Sequence, residues 1–236
     1  MASAKEIVVK VIPASVANPF VKKHHYSGKV VANSSVHFGA FLNGVLHGVM
    51  SFGSSMDKRK VITLVEGTGW NEFLELNRMA FDDVLPKNSE SRCIAIAIRL
   101  IKKNAPHIKW IISFADGAQC GDGTIYRASG FVLTGIKPNK TILEFPNGQR
   151  FAGLSLEADF DSPSIKKLCD DMGVPHIYRT RSQWLKLGAK FVEGNMLRYI
   201  YFIDKSYRDK LTVPILPFTR IKEMGASMYL GKHGEH

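Results

Sequence analysis

Apolar residues fall in short blocks that alternate between strand-like and helix-like spacing. Residues 6–12 make a β-rich run that stops at Pro13. Pro19 opens FVKKHHYSG, which reads as a helix start or a tight turn. Two apolar runs within residues 30–53 flank Asn43-Gly44, a dipeptide that accepts the positive φ of a two-residue hairpin turn. Residues 71–81 place Phe73, Leu74, Leu76, Met79 and Ala80 in an apolar stripe, with Glu75 and Arg78 one turn apart, and predict a helix. After Pro86, Ser89 or Ser91 is positioned to cap a longer helix that runs to about Lys103. Ile94, Ile98 and Ile101 supply its buried side, and Pro106 stops it. Residues 110–115 form an apolar strand ending in Asp116-Gly117, and residues 123–131 a short helix or turn leading into further strand. Short helices over 164–172 and 181–187 and a strand over 196–203 complete the pattern. No repeat, low-complexity tract or linker interrupts it, so one domain is expected.

Charge narrows the partners. Lys and Arg number 32 against 21 Asp and Glu, a net +11, in a chain of 236 residues. That balance favours a polyanion, nucleic acid first and a membrane surface second. Apolar residues at 45% fill a core and argue against disorder. No run of eighteen apolar residues occurs, so no membrane span is expected. Cys93, Cys120 and Cys169 are odd in number and widely spaced, which suits reduced thiols in a cytoplasmic protein. Residues 166–222 carry twelve Lys or Arg against five Asp or Glu, with Trp184, Tyr199, Tyr201 and Tyr207 interleaved, a pattern that suits phosphate contact and base stacking.

The candidate chemistry gathers in residues 75–130. Lys87, Asn88, Ser89, Glu90, Ser91 and Arg92 begin the long helix, where free N–H groups and the helix dipole suit a phosphate-bearing cofactor. The bland alternative is an ordinary capped helix. Asp116 ends a buried strand, a place for a base, a metal ligand or an amine acceptor, and equally for a simple turn. Tyr126 offers a phenol, and Arg78 either a phosphate clamp or an internal partner for Glu75. His24, His25, Tyr26, His37 and His47 supply imidazoles near the start of the fold, without zinc-site spacing.

Six segments carry a resemblance: HHYSG (24–28), ELNRM (75–79), PKNSESR (86–92), SFADG (113–117), GTIYRASGF (123–131) and RYIYFIDKSYRDKL (198–211). Together the chain resembles the Mom family of phage DNA-modification proteins. The resemblance implies an α+β, GNAT-like fold: a mixed central sheet flanked by helices in one domain over residues 1–236. Its basic portion from about residue 136 would complete the sheet and contact DNA. It implies addition of a carbamoylmethyl group to adenine N6, which protects phage DNA from restriction. Arg78, Asp116, Tyr126 and Tyr26 would be catalytic, residues 87–92 would hold the cofactor, and His25 would ligate iron. The partner would be double-stranded DNA with the adenine flipped out, in the host cytoplasm, and the reading leaves room for a homodimer. The chain lacks the Q/RxxGxG/A loop of acetyltransferases. That departure puts a coenzyme A thioester in doubt and leaves the donor unassigned. Two other readings compete: an N-acyltransferase acting on a protein or small amine, and a DNA-binding protein without catalysis.

Overall fold

The computed structural model describes residues 3–117 and 121–224. The strands are β1 (Val8–Ile12), β2 (Ser34–Leu42), β3 (Val45–Gly53), β4 (Phe73–Phe81), β5 (Trp110–Asp116), β6 (Val132–Pro138), β7 (Ile142–Glu144), β8 (Arg150–Ala152), β9 (Lys190–Phe191) and β10 (Asn195–Phe202). The helices are α1 (Ala14–His24), α2 (Lys58–Val61), α3 (Ser89–Asn104), α4 (Thr124–Ala128), α5 (Gly153–Ala158), α6 (Pro163–Asp171), α7 (Arg181–Lys186) and α8 (Thr219–Glu223). Seven strands form a mixed sheet in the order β1-β2-β3-β4-β5-β10-β6, and β8-β7-β9 form a second, small sheet. The expected α+β class, a mixed central sheet flanked by helices, is what the chain adopts.

The hairpin forms as expected. Asn43 (φ 52) and Gly44 (φ 81) turn β2 into β3 with both residues at positive φ. Pro19 lies inside α1 and does not begin it. Ser89 and Ser91 do not cap α3. Asn88 occupies the cap in the left-handed region without a side-chain cap bond, while the two serine hydroxyls donate to the carbonyls of Pro86 and Asn88.

Residues 71–81 are the main departure, because Phe73–Phe81 is a strand, not a helix. Its ladder with β3 shifts register between Ser51 and Phe52, so that Leu76 faces Phe52, Arg78 faces Ser51 and Asn77 is the extra residue of a bulge. The insertion changes the alternation. Leu74, Leu76, Met79 and Phe81 all pack on one large cluster, and the step of three across the bulge mimics helical spacing. It also brings Glu75 and Arg78 onto one face.

The sheet buries both faces. α3 covers one, with Ile94, Ala97, Ile98 and Ile101 against Phe52, Leu76 and Ile111. α1 covers the other at the β2–β4 side, through Ala17 and Val21 against Val49. Residues 139–194 are inserted between the paired strands β6 and β10, closed at the base by Asn139 N–H to the Gly194 carbonyl at 2.9 Å. This insertion builds its own core around Leu143, Leu156, Leu168 and Trp184. The rings of Trp184 and Tyr199 are fully buried and Tyr207 nearly so, which removes them as a stacking surface: each packs in a core cluster.

Candidate active site

Strands β4 and β5 run parallel but pair only from Phe73/Trp110 to Leu76/Ser113. Ser113 closes that ladder by donating from its hydroxyl to the Leu76 carbonyl at 2.9 Å. Beyond it β4 stays with β3 as far as Phe81/Gly48, and β5 stays with β10 as far as Asp116/Met196. The bulge at Asn77 strengthens the twist of β4 just where the two strands part. The result is a wedge, open at the C-terminal ends of both strands. A cavity of about 250 Å³ fills it, walled by Asn77, Arg78, Phe114, His25, Tyr26 and Tyr126 among others.

Each wall has a support. Arg78 donates from Nε to the Lys29 carbonyl at 2.9 Å and from Nη1 to the Asn77 carbonyl at 2.7 Å, tying the segment after α1 to the sheet. Burial lowers its pKa, while Tyr26 and Glu75 oppose that shift. Glu75 is pushed up by burial, against a hydrogen bond from Ser55 and the charge of Arg78. His25 caps α1, and its ring lies 4.3 Å from that of Tyr26. Burial first, and Arg78 second, lower its pKa to about 4. The Ser27 N–H donates to His25 Nδ1 at 3.1 Å, and the Ser27 hydroxyl lies 2.8 Å from the same nitrogen. Tyr126 is buried beside Phe131 and Tyr199, with ring centroids 5.5 and 5.3 Å away. Its helix starts at Gly123, whose φ is +71 and whose missing Cβ would lie 2.5 Å from the Tyr199 ring. Tyr199 holds this turn by donating to the Asp122 carbonyl.

The wedge thus brings Arg78, Tyr26, His25 and Tyr126 together. Asp116 is buried at the end of β5, where alternation puts it on the face of Phe114, one residue beyond the wall at Ala115. Lys87, Asn88, Ser89, Glu90, Ser91 and Arg92 do not line the wedge. Ser89 is fully buried, and Arg92 reaches the Lys5 carbonyl at 3.4 Å. His37 and His47 serve the sheet through Ser51 and Asp82, each at 2.8 Å, and His24 stacks on Phe20 at 4.4 Å. Cys120 lies outside the described residues. No three His, Cys, Asp or Glu among the described residues converge as metal ligands. The described donors therefore do not assemble an iron site, and no step below runs through one.

The sequence did not single out Asn77 or Phe114, while Asp122, a candidate ligand by residue type, does line the wedge. A signal existed for Asn77, a buried amide between two apolar halves of one run. A second cavity, about 610 Å³, adjoins the wedge and shares Tyr26 with it. It lies between the segment after α1 and the insertion, where Lys29 Nζ donates to Ser155 Oγ at 2.6 Å.

A family model described as the Mom protein family matches residues 6–220, and the chain belongs to that family. It is 32% identical over 213 residues to the methylcarbamoylase mom of Escherichia phage Mu, covering 90% of this chain and 82% of that protein. Looser likenesses join solved structures. An IAA acetyltransferase from Bacillus cereus is 10% identical with a TM-score of 0.46, covering 83% of this chain and 99% of that one. An N-acyl amino acid synthase from uncultured soil microbes is 14% identical with a TM-score of 0.46, covering 87% and 95%. At these scores they bear on neither substrate nor residue roles.

Proposed function

We propose that the wedge carries out the family's reaction on DNA. The chain is a transferase that adds a carbamoylmethyl group to N6 of adenine, a modification that shields phage DNA from restriction. The observation that carries the assignment to this site is the parting of β4 and β5, which gathers Arg78, His25, Tyr26 and Tyr126 around one cavity.

Adenine N6 is a poor nucleophile, because its lone pair is delocalised into the ring. The site must hold it in line with the methylene carbon of the donor. As the N6–C bond forms, the bond from that carbon to its leaving group breaks and the electron pair departs with the leaving group. The N6 proton passes to a base. For the base we put forward Asp116, buried at the strand end one residue beyond the lining; Tyr126, within the lining, donates to the leaving group. Arg78 anchors an anionic part of the donor, and Tyr26, 55% exposed at the mouth, meets the base. Reaching N6 in this geometry calls for a flipped nucleotide. The cavity beside Tyr26 suits the flanking backbone, with Lys29, Arg150 and the hydroxyls of Ser155, Ser162 and Ser164 against one carboxylate, Asp159. The insertion would then be the part of the basic C-terminal portion that contacts DNA. Two thiols, Cys93 and Cys169, are free and buried, which suits a reducing cytoplasm. No helix among the described residues is long and apolar enough to cross a membrane.

The test is expression in bacteria followed by mass measurement of digested adenine nucleosides. A carbamoylmethyl-adenine peak that disappears with Tyr126→Phe supports the reading. Unmodified adenine from cells that accumulate folded protein would sink it, and leave a DNA-binding protein or an acyltransferase of another amine.

A further inference from the structure

Asn77 sits at the apex of the wedge, one residue past the last β4–β5 pair. It is 8% exposed and lines the cavity. Its Oδ1 accepts from the Ser34 hydroxyl at 2.8 Å, which fixes the plane of the amide. Its Nδ2 is buried and has no hydrogen-bond partner among the described residues. A buried donor left unmatched destabilises a fold, so such groups are rare unless something else fills them. The bulge that opens the wedge also directs this residue. Without the extra position in β4, residue 77 would be an ordinary member of the ladder with β3.

Resting on the reading above, we infer that Asn77 is a substrate-binding residue whose Nδ2 donates to the carbonyl oxygen of the two-carbon unit being transferred. The partner must be an acceptor, because an amide nitrogen only donates. It must also lie deep. The aromatic side chains that suit a purine, Tyr26 and Phe114, are the exposed ones at the mouth, at 55% and 37%. The apex is left for the small end of the donor. A carbamoylmethyl unit carries one carbonyl next to the carbon under attack. A hydrogen bond to that oxygen fixes the unit in line with N6 and draws charge from the methylene in the transition state. The site therefore selects a donor whose transferred group bears a carbonyl, and works against an unsubstituted alkyl group, which would leave the amide unmatched.

Asn77→Asp tests this, because it keeps the shape and the acceptor for Ser34 while removing the donor. Modified adenine in expressing cells is expected to fall at least about tenfold, with melting temperature and affinity for duplex DNA both retained. Should the aspartate prevent folding, Asn77→Leu, similar in volume and uncharged, makes the same test. Yield within about twofold of the parent overturns the inference. So does a loss of yield that tracks a loss of stability or of DNA affinity, and so does failure of both variants to fold, which would make the amide structural. A parent chain that leaves adenine unmodified defeats the proposed function instead, and is read from the unsubstituted protein alone.

Discussion

The two halves of the β4–β5 pair use the same strands for opposite ends. In the paired half, Phe73 stacks on Trp110 with centroids 4.5 Å apart and planes 6° from parallel. Trp110 Nε1 donates to Thr68 at 3.1 Å, and Glu72 accepts from the Gly69 N–H at 2.8 Å and the Tyr207 hydroxyl at 3.1 Å. Polar groups there are matched within the fold. In the parted half, Asn77 keeps a donor unmatched among the described residues, and burial shifts both His25 and Arg78 away from their charged forms. One half is satisfied by the protein alone; the other keeps a buried donor unmatched among the described residues. A pocket built this way carries reactive groups on rigid strands, whose geometry the paired half maintains.

The contrast can be broken from either side. The largest effect is expected from Trp110→Ala in the paired half. Emptying a fully buried indole site should cost about 3–5 kcal/mol in denaturant unfolding. A loss below about 1 kcal/mol would show that this half does not anchor the wedge. Next comes Arg78→Ala, which removes both the proposed anchor and the tie to the Lys29 carbonyl. Modified-adenine yield should drop about a hundredfold, a loss of about 2.7 kcal/mol in the transition state. Arg78→Lys retaining full yield would contradict a geometric role for the guanidinium. Gly123→Ala is smaller, about 1–2 kcal/mol in stability, since a Cβ meets both the positive φ and the Tyr199 ring. An unchanged melting temperature would count against that account of the turn.

Lys29→Ala, outside the wedge but beside it, should weaken DNA binding and lower the salt slope by about 1, and a slope equal to the parent's would remove Lys29 from the DNA path. The last test concerns pH. His25 takes its proton near pH 4 in the folded chain and near 6.5 when unfolded. Its contribution to stability is therefore complete above pH 6.5 and is lost as pH falls toward 4. His25→Gln should flatten the decline of stability across that window. A parallel pair of curves would mean that the imidazole is not held neutral.

How much of this was legible beforehand depends on the range of the forces involved. The hairpin at Asn43-Gly44, the long helix after Pro86 and the strand into Asp116 follow from turn chemistry, proline and local periodicity, all contained in short windows of chain. Arg78, Tyr126, His25 and Tyr26 could be singled out by residue type, and the wedge brings them together. Residues 71–81 misled because a bulge is a relation between two strands, and its extra residue imitates the period of a helix. The interleaved aromatics misled for a related reason: composition cannot tell Trp184 and Tyr199 in a core from rings on a surface.

By itself, then, the amino-acid order set the local elements, the positive charge and the family. Tertiary structure alone decided where β4 leaves β5, that Asn77 lies at the apex with a donor to spare, and that residues 87–92 stand away from the wedge. Those outcomes rest on pairing and burial between segments far apart in the chain, and no local pattern encodes which partner a strand edge will lose.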